Sequence, residues 1–273
     1  MTKSSEAGAR PARAGAFEAR IEVRDLTMAF GDFVVMRDLN FIVRRGDILV
    51  VMGGSGCGKS TLLRHMIGLL EPARGEILYE GKSFTRASTE ERQHMLRRFG
   101  VTYQSGALWS SMTLAENVAL PLAEFTDLSE WEIRAIARLK LSLVGLKGFE
   151  DYYPSQISGG MQKRAALARA MALDPDVLFF DEPSAGLDPI STRLLNELII
   201  ELRDSLGATI MVVTHDLASI FMIANNSVFL DGISRRMIAQ GDPRELRDHC
   251  DIPAVQKFLR PDFESRAEAQ TDG

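Results

Sequence analysis

Apolar residues along this chain come in two patterns. Residues 48–52 (Ile48-Leu49-Val50-Val51-Met52), 177–180 (Val177-Leu178-Phe179-Phe180) and 210–213 (Ile210-Met211-Val212-Val213) are unbroken apolar runs of strand length. A run with no polar alternation predicts a strand covered on both faces, as in a sheet sandwiched between other layers. Residues 19–45 behave differently: Ile21 and Val23 alternate with charge, Val34-Val35 is a short run, and Phe41 and Val43 alternate again. That pattern predicts an antiparallel sheet. Val228-Phe229-Leu230, an Asp231-Gly232 turn and Met237-Ile238-Ala239 predict a closing hairpin.

Helical periodicity fills the intervals. Leu62, Leu63, Met66, Ile67 and Leu70 share one face, with Pro72 as the expected stop. Capping boxes are expected at Ser88 with Glu91, opening a helix to about Arg98, at Thr113 with Glu116, and at Ser129 with Glu132. The last opens a helix whose Ile133, Ile136, Leu139 and Leu143 share a face before Gly145. Residues 101–103 predict a strand with Gln104 at its end, so residues 105–160 form a helical lobe inserted between strands. Residues 1–20, rich in Ala, Gly, Ser and Arg, are expected to be a disordered tail without a secretory h-region.

Composition narrows the function classes. A chain of 273 residues buries a substantial core. Its net charge of −5, without a Lys/Arg-rich run, argues against nucleic acid as a partner. With two cysteines, Cys57 and Cys250, a disulfide framework is not expected and a reducing cytosol is. No stretch reaches the roughly 18 apolar residues of a membrane helix, so a soluble chain is expected.

The candidate chemistry gathers at strand ends. After the first apolar run come Gly53, Gly54, Ser55, Gly56, Cys57, Gly58, Lys59, Ser60 and Thr61, the spacing of a nucleotide phosphate loop that opens a helix. Glycines let backbone N–H groups turn onto phosphate oxygens, Lys59 supplies a cation for the β- and γ-phosphates, and the Ser60 hydroxyl ligates Mg²⁺. A bare glycine turn between strand and helix is the competing interpretation. Cys57 stands where side-chain identity is expected to matter little. The second run ends in Asp181-Glu182, carboxylates too costly to bury as mere core, one suited to Mg²⁺ and the other to polarising an attacking water. The third ends in Thr214-His215-Asp216; a lone His there is often structural, but three strand ends converging polar groups is where an open α/β sheet binds ligands. Ser158-Gly159-Gly160 starts another helix, either an anion site or a plain cap. Phe30, at the Gly31-Asp32 turn, either stacks on a base or packs into the sheet, and His65, His94 and His249 read as surface or core residues. These signals predict an α/β fold, a phosphate-loop core with an antiparallel β subdomain and an inserted helical lobe, an arrangement that resembles the P-loop NTPase (RecA-like) class.

With the phosphate loop, Gln104, Ser158-Gly159-Gly160, Asp181-Glu182 and His215 in that order, the chain resembles the nucleotide-binding subunits of ABC transporters over about residues 20–245. The resemblance implies a tail over 1–20, an ATPase domain over 21–245 with its lobe at about 105–160, and an extension over 246–273. By position it implies that Lys59 and Ser60 hold phosphates and Mg²⁺, that Asp181 supports Mg²⁺, and that Gln104 contacts Mg²⁺ or water. Glu182 would be the general base and His215 the γ-phosphate contact. Ser158, Gly159 and Gly160 would reach the ATP of a second copy in a head-to-tail dimer, Asp188 would communicate across that interface, and Phe30 would stack on adenine. Ile157 and Met161 replace the commoner Leu and Gln of the signature, and Gly54 stands where many members have Pro.

Gln104-Ser105-Gly106-Ala107-Leu108-Trp109, Glu116-Asn117-Val118-Ala119-Leu120-Pro121-Leu122 and Ile157-Ser158-Gly159-Gly160-Met161 are similar to the ATPases of Mla phospholipid-transport (organic-solvent tolerance) systems. That resemblance implies glycerophospholipid as cargo and a peripheral place on the cytoplasmic face of the inner membrane. It also implies an integral permease, an MCE lipid-binding protein and a STAS-domain subunit as partners. Importers of other substrates, such as amino acids, share the scaffold; soluble ABC ATPases acting on ribosomes or DNA are a further alternative. Gly106, Ala107, Leu108, Trp109 and Met112 are expected to form a groove for a permease helix, with ordinary packing inside the lobe as the competing interpretation. Val255, Phe258 and Leu259, in the tail over 252–263, are expected to pack on the partner subunit.

Overall fold

The computed structural model describes residues 19–260. The chain opens with β1 (Ala19–Phe30), β2 (Phe33–Arg44) and β3 (Ile48–Gly53), then α1 (Lys59–Met66), β4 (Arg74–Tyr79), β5 (Lys82–Ser83), α2 (Thr89–Leu96) and β6 (Phe99–Thr102). Helices α3 (Leu114–Phe125), α4 (Glu130–Leu143) and α5 (Gly159–Ala170) follow, then β7 (Val177–Asp181), α6 (Pro189–Leu206), β8 (Thr209–Val213) and α7 (Leu217–Ile223). The described chain closes with β9 (Asn226–Asp231), β10 (Arg236–Gly241), α8 (Pro243–His249) and α9 (Pro253–Leu259). β1 starts at Ala19, inside the stretch expected to be tail; the rest of that stretch, and the extension beyond Arg260, lie outside the described residues.

Two sheets result. One is antiparallel, in the order β2-β1-β4-β5, as the alternating pattern requires. The other has the order β10-β9-β3-β8-β7-β6 and is parallel except for β10, which pairs antiparallel with β9. The unbroken apolar runs are its central strands. Successive side chains of a strand point to opposite faces. Ile48, Val50, Leu178, Phe180, Ile210 and Val212 therefore enter one apolar body together with residues of α3, α4, α5, α6, α7 and α9. Leu49, Val51, Val177, Phe179, Met211 and Val213 enter a second one, shared with α1 and the antiparallel sheet. Each fully buried aliphatic or aromatic side chain contributes about 1.5–3 kcal/mol, which is why this sheet tolerates no polar alternation.

The helices form where the sequence places their caps. Ser88, Thr113 and Ser129 each accept from the backbone N–H three residues on, and Glu91, Glu116 and Glu132 return the bond to the cap N–H. α1 is shorter than its periodicity predicts. Gly68, at φ 76°, donates to the His65 carbonyl at 3.2 Å and Leu69 donates to Arg64 at 2.9 Å, a paired closure that ends the helix at Ile67 and leaves Leu70 outside it. At the amino ends of β6 and β7, Arg20, Arg45 and Arg98 surround Glu80, and Arg20 and Arg98 also pair with Asp176, fastening the antiparallel sheet to the parallel one. The apolar face of α9 packs on the chain itself: Val255 and Leu259 are buried, and Phe258 meets Phe229 edge-on at 5.3 Å. These described residues are spent on the chain's own core rather than left for a partner. Among the described residues, no helix is long and apolar enough to cross a membrane.

Candidate functional site

Strand register sets the level of the site. Val213 of β8 pairs with Val51 of β3 on one side and with Asp181 of β7 on the other. The residues just beyond, Gly53 with its loop, Glu182, and Thr214-His215, therefore leave the sheet together at its carboxyl edge.

The loop between β3 and α1 is a close fit. A Cβ on Gly53 would lie 2.3 Å from the Leu230 carbonyl oxygen, and one on Gly58 would lie 2.8 Å from Cγ1 of Val35, with φ values of 144° and 101°. No other residue keeps this path. Lys59 Nζ donates to the carbonyls of Gly53 at 3.0 Å and Gly54 at 2.9 Å, so the ammonium curls back over the loop. Cys57 overturns its expectation. Its side chain is buried in the core beneath the antiparallel sheet, its Sγ would stand 2.8 Å from a Gly53 Cβ, and its own Cβ would lie 3.4 Å from one on Gly232. Side-chain size matters there, because the β9–β10 turn closes over it, and burial pushes the thiol pKa up.

The acidic pair faces the same loop. Ser60 Oγ donates to Asp181 Oδ1 at 2.9 Å. Burial, with the charge of Glu182 adding, pushes the Asp181 carboxyl up, while the Ser60 hydroxyl pulls it down. Glu182 sits at φ 47°, in the left-handed region, and its N–H donates to the Val213 carbonyl at 2.8 Å. A non-glycine residue held there costs about 1–3 kcal/mol, and such strain is typical of functional positions. Its side chain is 14% exposed, and Glu182 Oε1 lies 2.8 Å from Nδ1 of His215, whose side chain is 71% exposed.

Ser158, Gly159, Gly160 and Asp188 form a second group. Ser158 caps α5 by accepting from Met161 N–H at 3.3 Å. Asp188 caps α6, accepting from the Ile190 and Ser191 N–H groups at 3.0 Å and from Ser191 Oγ at 2.6 Å. The two starts touch: a Cβ on Gly160 would be 3.2 Å from Ser191 Oγ. Phe30 is 53% exposed at the β1–β2 tip, so it is not packed into the sheet. His65, by contrast, is a core residue, its Nδ1 2.8 Å from the Thr61 carbonyl.

Gln104 follows β6 with its side chain exposed, and its backbone carbonyl accepts from Lys163 Nζ. Arg169 donates to the Ala107 carbonyl at 2.7 Å and the Gly106 carbonyl at 3.0 Å. Two cations of α5 thus clamp Gln104 and the segment after it; sequence reasoning missed them, because a backbone-carbonyl partner leaves no trace in the sequence. Trp109 is 58% exposed, while Asn117, fully buried, takes the Trp109 N–H at 2.8 Å and donates to the carbonyls of Trp109, Met112 and Thr113. Gly106, Ala107, Leu108, Trp109 and Met112, expected to form a groove for a permease helix, line no part of the apolar groove beside α3. That groove, of about 760 Å³, runs between Leu96, Phe99 and Val101 on one side and Leu120, Pro121 and Phe125 on the other.

The sequence profile described as ABC transporter matches residues 36–185. The chain belongs to the ABC transporter family. Over 88% of its length this ABC protein is 43% identical to the intermembrane phospholipid transport system ATP-binding protein MlaF of Haemophilus influenzae, covering 90% of that protein. It is 39% identical to MlaF of Escherichia coli K12, covering 88% of each chain. It is also 43% identical to the probable ribonucleotide transport ATP-binding protein mkl of Mycobacterium leprae, covering 88% of this chain and 68% of that one. The dimeric post-hydrolysis ATP-binding cassette MJ0796, bound to ADP and Pi, superposes with a TM-score of 0.74 at 27% identity, covering 81% of this chain and 98% of that one. For cbiO1 of Clostridium perfringens the values are 0.79, 28%, 92% and 99%. The chain is thus an ATP-hydrolysing ABC subunit, of a family whose cassettes form dimers.

Proposed function

We propose that this ABC ATPase powers movement of glycerophospholipid between inner and outer membranes, as a head-to-tail dimer on the cytoplasmic face of the inner membrane beneath an integral permease. The observation that carries the cargo is the match to MlaF over nearly the full length of both chains. MCE and STAS-domain subunits belong to the same reading.

The chemistry assigned to the site follows from its geometry. The loop from Gly53 to Thr61 wraps the phosphates, and Lys59 turns from its two carbonyls to the β- and γ-phosphate oxygens. The hydroxyl of Ser60 and the carboxylate of Asp181 are hard oxygen donors 2.9 Å apart, a set that fits Mg²⁺, with Gln104 as a further oxygen at the lobe side. A Mg²⁺ held by Ser60 and Asp181 would supply positive charge against that developing on the transferred phosphoryl group. Glu182, mostly buried and held in its left-handed backbone by the bond from its N–H to the Val213 carbonyl, takes the proton of the attacking water. His215 holds it in place: its Nδ1 meets Glu182, which leaves Nε2 as the ring nitrogen for a phosphate oxygen. Ser158, Gly159, Gly160 and Asp188 complete the site of the second copy, and Phe30 stacks on adenine. The apolar groove between β6 and α3 takes a permease helix, joining the lobe to the strand that leads into Gln104.

A second cargo is favoured by one observation, the equal identity to mkl, which makes ribonucleotide the competing substrate. The test is to purify the full chain with its membrane partners from native membranes and reconstitute them in vesicles. ATP-dependent transfer of labelled phospholipid, with no ribonucleotide uptake, supports the lipid reading. The opposite result replaces it.

A further inference from the structure

Between α6 and α7 the apolar interior is interrupted by a chain of polar side chains. Asn196, 3% exposed, donates from Nδ2 to Ser219 Oγ at 2.8 Å, and Ser219, 2% exposed, donates from Oγ to Asp216 Oδ2. Asp216 caps α7, accepting from Ala218 N–H at 3.3 Å and Ser219 N–H at 3.1 Å, and its own N–H donates to Thr214 Oγ1 at 3.1 Å. Along the sequence the neighbours are Leu195, Leu198 and Ile199 on α6 and Ile220 and Ile223 on α7, all buried.

Nothing in core packing asks for an amide there. An apolar residue of similar volume would fill the same space without the cost of desolvating a polar group, and in some proteins a buried polar network instead fixes one arrangement among several. What this chain of donors fixes is the beginning of α7, one residue after His215. His215 in turn meets Glu182 Oε1 at 2.8 Å. At its other end the chain is rooted two turns into α6, the helix that Asp188 caps and whose Ser191 touches the start of α5.

We infer that Asn196 is a positioning residue for hydrolysis: through Ser219 and Asp216 it sets where α7 starts, and thereby holds the His215 ring against Glu182 and ties that contact to the placement of α6. The inference rests on the roles given to Glu182 and His215 above. It assigns no contact with ATP to Asn196.

The test uses the full-length chain and steady-state ATP hydrolysis. Asn196→Leu and Ser219→Ala are expected to lower kcat by about 10–100-fold, the range that small misplacement of a catalytic group produces, with KM for ATP within about twofold. Ser219→Thr, which keeps the hydroxyl, is expected to retain kcat within about threefold. In a His215→Ala background, Asn196→Leu is expected to cause no further loss, because the group it positions is already gone. An unchanged kcat, or an equal fold-loss with and without His215, overturns the inference. If Asn196→Leu does not fold, the contrast between Ser219→Ala and Ser219→Thr decides, and equal rates for those two overturn it. Near-normal turnover of Glu182→Gln removes the base assignment beneath the inference, whereas loss of turnover in Glu182→Gln with full activity in Asn196→Leu removes the inference alone.

Discussion

The Ser60 hydroxyl donates to the Asp181 carboxylate across 2.9 Å, joining the first turn of α1 to the end of β7. Burial holds the Asp181 pKa above its ordinary value. A carboxyl raised in the folded state favours folding when protonated; that contribution is complete below the unfolded pKa and lost as pH rises through the folded one. At neutral pH the charged form is therefore a stability cost. Asp181→Asn is expected to raise Tm at pH 7 by about 2–4 °C for each kcal/mol recovered, with the advantage fading in acid, while hydrolysis is lost. Calorimetry across pH checks it; a lower Tm at pH 7 would mean that the Ser60 bond outweighs desolvation.

Glu182→Gln keeps the shape of the side chain and its left-handed backbone but removes the base. Turnover is expected to fall by about 10²–10⁴-fold while ATP binding persists, and light scattering is expected to show more dimer in ATP than in ADP. Near-normal hydrolysis, or a mass that ignores ATP with the permease present, would count against the role and against the ATP-joined dimer respectively.

The groove gives a separate pair of outcomes. Trp109, 58% exposed, contributes little to the core, so Trp109→Ala is expected to keep Tm within about 2 °C and to retain ATP binding. Leu120→Asp places a charge in the groove wall and is expected to abolish co-purification with the permease at unchanged ATP affinity. Retained co-purification of the Leu120 variant would move the permease contact elsewhere.

Thiol chemistry tests the packing of the phosphate loop. Cys57 is buried and its pKa is raised, while Cys250 is half-buried. A thiolate-specific reagent is expected to label Cys250 first and Cys57 only on unfolding. Fast labelling of Cys57 in the folded chain would show that the β9–β10 turn opens in solution.

The sheet strands and the three capped helices were legible in the sequence because their signals are local: consecutive apolar residues, or a Ser or Thr three residues before a Glu. The end of α1 was misjudged because Leu70 continues the apolar face, whereas Gly68, which stops the helix, acts through backbone conformation rather than hydrophobicity. Cys57 was misjudged for another reason. Its neighbours, Gly232 and Leu230, come from the far end of the chain and meet it only once β9 lies beside β3. Lys163 and Arg169 escaped notice because their partners are backbone carbonyls, which carry no sequence signal. The strand-end carboxylates and the loop lysine were legible because their chemistry requires those residue types.

Leu114, Val118, Leu122, Ala137 and Leu141, from the helices between β6 and α5, belong to the same apolar body as Ile48, Val50, Leu178 and Ile210 of the central strands. Among the described residues, these helices thus share the core of the central sheet rather than closing one of their own. Heating is expected to produce one endotherm whose calorimetric and van't Hoff enthalpies agree for the lobe and sheet together. If a permease helix docks in the groove, that shared core is expected to pass its displacement on to the strand ends rather than lose it to local unfolding of the lobe.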